Sequence, residues 1–154
     1  ANVSANTPVG SVNVGAIVTP NPNMPINGML KYLGARYGFS YPESWMLNEQ
    51  NPSNSSVVLF PKNKSAEMIS GRLSTSERIQ VSLFPSSSVD LTGASQIKLG
   101  NETWYVKNIG RTDGSTEGTV EYYKPANATL HALITTGVSN KKTAELIASS
   151  WLQG

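Results

Sequence analysis

Side chains able to do chemistry are few in this 154-residue chain, and they are thinly spread. His131 is the single histidine, and cysteine is absent. A hydrolytic triad would have to be built on His131, with a serine as nucleophile and a carboxylate to orient the ring. The neighbouring residues argue for a different role. Leu130, Ala132 and Ile134 alternate with His131, Leu133 and Thr135, which predicts a strand with the aliphatic set buried and His131 on the opposite face. That is a strand histidine and not a general base. No Gly-x-Ser-x-Gly elbow occurs. One histidine without cysteine excludes the usual zinc sets. The closest acid pair, Asp113 and Glu117, lies in Asp113-Gly114-Ser115-Thr116-Glu117-Gly118. Its oxygens could loosely contact calcium, but a glycine-rich hairpin turn accounts for the same residues. Glycine-rich phosphate loops are missing. The expectation is a protein that is not an enzyme, with no cofactor and no metal.

Aromatic residues offer a second kind of chemistry. Tyr37, Phe39, Tyr41, Trp45, Trp104, Tyr105, Tyr122, Tyr123 and Trp151 could line a carbohydrate or hydrophobic-ligand cleft. Most of them occupy strand or helix positions that need core filling. Tyr105 and one of Tyr122 or Tyr123 are expected on outer faces, where tyrosine suits a partner surface. Covalent modification is the third possibility. Asn2, Asn54, Asn63, Asn101 and Asn127 all stand in Asn-x-Ser/Thr sequons. A chain rich in Asn, Ser and Thr produces such triplets by chance, but glycan on even two of them would mean export.

Composition bounds the setting of these residues. The chain is 14% charged, well below the roughly 25% usual for soluble domains. Hydroxyl and amide side chains fill the gap, which fits an extracytoplasmic protein, secreted or at the cell surface. The net charge is only +2 and no dense Lys/Arg run occurs, so the electrostatic footprint of a nucleic-acid binder is missing. No apolar run approaches the roughly 20 residues that span a bilayer.

The elements divide at about residue 28. Residues 1–28 contain Pro8, Pro20, Pro22 and Pro25 and no charged side chain, a composition expected of an extended leader. Within it, residues 10–18 place Val12, Val14, Ala16 and Val18 at period two, a strand pattern bounded by prolines. Nothing adjacent in sequence offers this strand a partner, so it is expected to dock far along its own chain or in another subunit. Residues 29–154 read as one globular domain. Strands are expected at Leu30–Leu33, Tyr37–Tyr41, Trp45–Asn48, Val57–Phe60, Ile79–Leu83, Gln96–Leu99, Glu102–Ile109, Val120–Lys124 and Leu130–Val138. A weak helical turn is expected near Ala66–Ile69. One amphipathic helix follows, Lys141–Trp151, with Asn140 as N-cap. Ala144, Ile147, Ala148 and Trp151 share its apolar face. The fold class is α+β: an antiparallel sheet with a C-terminal helix packed on one face.

The run Tyr37-Gly38-Phe39-Ser40-Tyr41-Pro42-Glu43-Ser44-Trp45 gives a strand, a proline stop, a turn, and a tryptophan large enough to anchor a core. It resembles the entry motif of PsbP-like and Mog1-like domains, an α/β-sandwich group that includes many exported bacterial proteins. Ile97–Thr103, Val120–Tyr123, Leu130–Ile134 and Ala144–Trp151 agree with the group in order. The resemblance covers about residues 30–152 and leaves the leader outside. It implies a fold and a compartment, not a reaction, because the group shares no catalytic site. Its members are accessory, binding or assembly proteins.

Two functions follow from the leader. In the first, the chain is a non-catalytic structural subunit, and Val12, Val14, Ala16 and Val18 complete a neighbour's sheet. Copies of the chain would then join head to tail in a surface filament or pilus-like assembly. In the alternative, the leader is a spacer that tethers a monomeric accessory or ligand-binding module.

Overall fold

A computed structural model describes residues 28–51, 56–110 and 118–153. Ten strands and two helices are present among them: β1 Met29–Leu33, β2 Tyr37–Pro42, β3 Trp45–Asn51, β4 Ser56–Pro61, α1 Ser65–Ile69, β5 Ile79–Pro85, β6 Ser95–Leu99, β7 Glu102–Ile109, β8 Thr119–Pro125, β9 Leu130–Gly137, α2 Lys141–Ser149 and β10 Leu152–Gln153. The leader strand at residues 10–18 lies outside the described residues.

Prolines and glycines set the boundaries. β2, β4, β5 and β8 each close on a proline, which has no N–H to carry the ladder further. Gly100 turns β6 into β7 at φ +64°, a left-handed conformation that glycine adopts without steric penalty. The turn is also tight against the helix: a Cβ on Gly100 would stand 2.4 Å from the carbonyl oxygen of Ser149.

The strands form a seven-stranded antiparallel sheet, ordered β3-β4-β5-β9-β8-β7-β6, and a three-stranded one, ordered β1-β2-β10. The expected antiparallel sheet with a helix on one face is therefore present, and a small second sheet shares the covering layer with that helix. Alternation decides what is buried. Val57 and Leu59, Ile79 and Val81, Ala132 and Ile134, Val120 and Tyr122, and Trp104 and Val106 all point to one face of the large sheet. Tyr37 and Phe39 of β2 close over them, beside Ala144, Ile147 and Ala148 of α2 and Trp151 beyond it. The Trp151 ring stacks on Tyr37 at 4.7 Å and meets Trp104 perpendicularly at 5.4 Å, both favoured arrangements of aromatic quadrupoles. Trp104 is fully buried, and its Nε1 has no hydrogen-bond partner among the described residues.

The opposite face is covered more thinly. Val58, Phe60 and Leu73 form a second cluster, with Met68 of α1 packed on it. Residues 86–94 carry the chain from β5 past β9, β8 and β7 to β6. Lys107 Nζ donates to the carbonyl of Asp90 at 2.8 Å, which fastens this crossing to the face away from α2.

Four local expectations are corrected. Trp45 is half-buried at the rim and does not anchor the core, because β3 is an edge strand; Trp104 and Trp151 take that role. Of Tyr122 and Tyr123, Tyr123 takes the outer face as expected of one of them, but it is only 8% exposed because the crossing segment lies over that face, so it is not the open partner surface expected. Asn140 makes no side-chain cap bond to the helix. Its Nδ2 donates instead to the Ser76 carbonyl (2.9 Å) and to Thr136 Oγ1 (3.2 Å), since buried Thr136 already gives its own hydroxyl proton to the Arg78 carbonyl. The helix stops at Ser149, short of Trp151. There Ser150 Oγ accepts the Ser40 N–H at 2.7 Å, so a serine side chain stands where a strand neighbour would pair with β2. β10 then takes up the pairing at Leu152 and Gln153.

Candidate functional site

His131 sits where the alternation places it. Ala132 and Ile134 are in the core, and the imidazole is on the other face, between Phe84 of β5 and Pro125 of β8 in register. The fold adds a partner that sequence spacing does not reveal. Ser86, in the 3₁₀ turn after β5, brings its Oγ to 2.8 Å from His131 Nδ1. Its backbone N–H also donates to the Thr129 carbonyl at 2.8 Å. A serine beside an imidazole is the first half of a nucleophile–base pair. Here, however, the serine occupies the ring nitrogen that an orienting carboxylate takes in a triad. Among the described residues Ser86 is the only hydrogen-bond partner of the ring. Partial burial lowers the His131 pKa, which keeps the ring neutral and able to pair with a hydroxyl. The pair ties the start of the crossing segment to β9.

The other buried ionisable groups are structural in the same sense. Burial holds Tyr32, Tyr37, Tyr122 and Tyr123 well above the ordinary phenol pKa. Hydrogen bonds add to this at Tyr32 (to Glu49, 2.6 Å), Tyr122 (to Glu145, 2.8 Å) and Tyr123 (to Glu121, 2.7 Å). Tyr41 is pushed up to about 12 by burial. No shift brings any of these phenols toward neutral pH, and Tyr32, Tyr37, Tyr122 and Tyr123 act as hydrogen-bond donors. Among the described residues no three His, Asp or Glu side chains come together as a metal site. Asp113 and Glu117 lie outside the described residues. No helix among the described residues is long and apolar enough to cross a membrane.

Of the residues singled out for assembly or modification, Val12, Val14, Ala16, Val18, Asn2 and Asn54 lie outside the described residues. Asn63, Asn101 and Asn127 are all exposed. They are spread over the surface: Asn63 in the 3₁₀ turn Lys62–Lys64, Asn101 in the β6–β7 turn, and Asn127 between β8 and β9. Asn127 Oδ1 accepts from the Thr129 and Leu130 N–H groups and from Thr129 Oγ1, a side-chain-built turn.

One surface cleft was not foreseen. Ser44, Trp45, Pro61, Lys62 and Asn63 line an open, mostly apolar concavity of about 350 Å³. It forms because Trp45 faces Pro61 in the β3–β4 register, and because the Lys62 N–H bonds the Ser44 carbonyl at 3.1 Å, folding the next turn up as a wall. A tryptophan just after a turn, paired with a proline at a strand end, was the signal available in the sequence.

No protein-family model matches the sequence, and no curated protein does. Solved structures do. A protein of Bacteroides thetaiotaomicron VPI-5482 aligns with a TM-score of 0.51 at 14% identity over 80% of this chain, which spans only 48% of that protein's length. The cyanobacterial PsbP (CyanoP) of Synechocystis sp. PCC 6803 aligns with a TM-score of 0.50 at 14% identity, covering 84% of this chain and 95% of that one. The fold is PsbP-like.

Proposed function

We propose that this domain is a non-catalytic accessory module acting outside the cytoplasm, and that it works by holding another chain. The observation that carries this reading is the Ser86–His131 contact. The only histidine is committed to a structural tie, in a domain whose interior is filled by its own aromatic side chains. The PsbP-like fold supports an accessory role, and the low charge content supports the compartment.

The finer reading is assembly. Val12, Val14, Ala16 and Val18 would add a strand to the sheet of another copy. An acceptor is available: no described strand pairs with the outer side of β6. Ile97 and Leu99 of β6 face the core, with Ile97 still half-buried, so alternating valines laid beside them would extend the apolar layer. Glycans at Asn63, Asn101 and Asn127 would remain compatible with this, because all three side chains are exposed.

Light scattering and negative-stain microscopy of the full chain test the proposal. Particles that grow with concentration, and that a Val12→Asp/Val14→Asp variant abolishes, are the expected result. A chain that stays monomeric at high concentration would overturn assembly and select the tethered-monomer reading.

A further inference from the structure

We infer that the outer face of the layer formed by β1, β2, β10 and α2 docks on an anionic lipid surface, which Leu33, Leu146 and Leu152 enter. This goes beyond the assembly reading, which concerns β6 and the leader. Leu33 of β1 and Leu152 of β10 both stand opposite Gly38 of β2, one on each side. Directly paired residues point to the same side of a sheet. Tyr37 and Phe39, which flank Gly38, point into the core, so both leucines point outward. Gly38 puts no side chain between them, and a Cβ there would stand 3.0 Å from Leu33 Cδ2. Ser150 Oγ ties this sheet to α2: it accepts the Ser40 N–H at 2.7 Å and lies 3.1 Å from the Leu146 carbonyl oxygen. Leu146 is one turn before Ser150 on the same flank of the helix, away from buried Ala144, Ile147 and Ala148. Leu33, Leu146 and Leu152 are 69%, 47% and 47% exposed.

Charge selects the partner. The chain has 12 basic and 10 acidic residues. This layer, with the turn between β1 and β2, holds Lys31, Arg36, Lys141 and Lys142 against Glu145 alone, which leaves eight bases against nine acids for everything else. Glu145 is turned away from the outer face, since its carboxylate accepts the hydroxyl of Tyr122 in the core. Lys142 is one turn before Leu146 and shares its column on the helix. A second copy is a poor occupant, because two-fold contact would set these cations against their own equivalents. The apolar members are leucines, which are under-represented among protein hot spots but suit the boundary between headgroups and acyl chains. There the leucines enter the apolar side while the Lys and Arg heads stay with the phosphates.

Vesicle flotation of the full chain tests this, in the Val12→Asp/Val14→Asp background so that the result is independent of assembly. The chain should float with vesicles of phosphatidylglycerol and phosphatidylcholine, less so as salt is raised, and not with phosphatidylcholine alone. Leu33→Ser/Leu146→Ser/Leu152→Ser should weaken binding at least about tenfold, and Lys142→Glu about fivefold or more, with the circular dichroism of both variants that of the parent. A separate Leu146→Trp variant reports the orientation: its added indole should shift to the blue on binding and be quenched by brominated acyl chains. Failure to bind the anionic vesicles, or equal binding by the triple serine variant, would overturn the inference. So would a Leu146→Trp emission that stays unshifted on bound vesicles, because another face would then be on the bilayer. Soluble polyglutamate that displaces the vesicles, and that the triple serine variant still binds, would overturn it in favour of an acidic protein partner.

Discussion

Replacing Gly100 by alanine separates two penalties that most glycine substitutions confuse. At φ +64°, any L-residue incurs the left-handed penalty of about 1–2 kcal/mol. Gly100 adds a collision, because its Cβ would be 2.4 Å from the Ser149 carbonyl oxygen and 3.2 Å from its carbon. Both are backbone atoms at the end of α2, so relief requires the turn or the helix terminus to move, an overpacking cost of about 1–3 kcal/mol. Gly93 and Gly71 are internal controls. They have φ +79° and +73° with nothing within 4 Å of an added Cβ, so Gly93→Ala and Gly71→Ala should show only the conformational part. Gly100→Ala should lose about 3 kcal/mol in all, which lowers Tm by roughly 6–12 °C for a domain of this size. Urea unfolding followed by tryptophan fluorescence gives all three values on one scale, with m unchanged. If Gly100→Ala is no worse than the two controls within about 0.5 kcal/mol, the packing of the β6–β7 turn on the helix end is wrong.

Three further perturbations probe the ties around that layer. Asn140→Asp keeps a good N-cap but loses the donor to Ser76 and Thr136, so it should destabilise by about 1–2 kcal/mol in urea unfolding; a neutral result would restore the capping role. Ser150→Ala leaves the Ser40 N–H without its acceptor on a buried strand, and should cost about 1–3 kcal/mol and speed hydrogen exchange at Ser40. His131 has its pKa lowered by burial from the ordinary 6.5, so near that pH the unfolded chain binds more protons than the folded one. Its contribution is full above pH 6.5 and lost as pH falls below it. A pH series of Tm between 5 and 7.5 should show a small acid-side decline that His131→Gln abolishes.

Much of this architecture was legible in the chain, and the reasons are local. The period-two aliphatic residues of β5 and β9 and the continuous apolar run Val57–Phe60 of β4 indicated which side chains are buried, and prolines marked where β4 and β5 stop. The helix was visible through Ala144, Ile147 and Ala148. What escaped reading was set by contacts between residues far apart in sequence. Ser86 meets His131 only because β5 pairs with β9, and Ser150 substitutes for a strand only because β2 is folded against it. Asn140 has the right identity and position for a cap, yet the buried Thr136 hydroxyl outcompetes the helix for its side chain. The Trp45 cleft needed both the β3–β4 register and the turn at Lys62.

The strand order has a kinetic consequence. β3-β4-β5 and β6-β7-β8-β9 are two meanders, each joined by neighbours in sequence, and the β5–β9 pairing is their only seam within the large sheet. That seam joins Val81 to Ile134, roughly fifty residues apart, so its loop closure comes late, after the local hairpins, each doubling of loop length costing only about 0.6 kcal/mol. Docking of the two halves should limit the folding rate. Until it happens, β5 and β9 are both unprotected sheet edges, able to pair with strands of other chains.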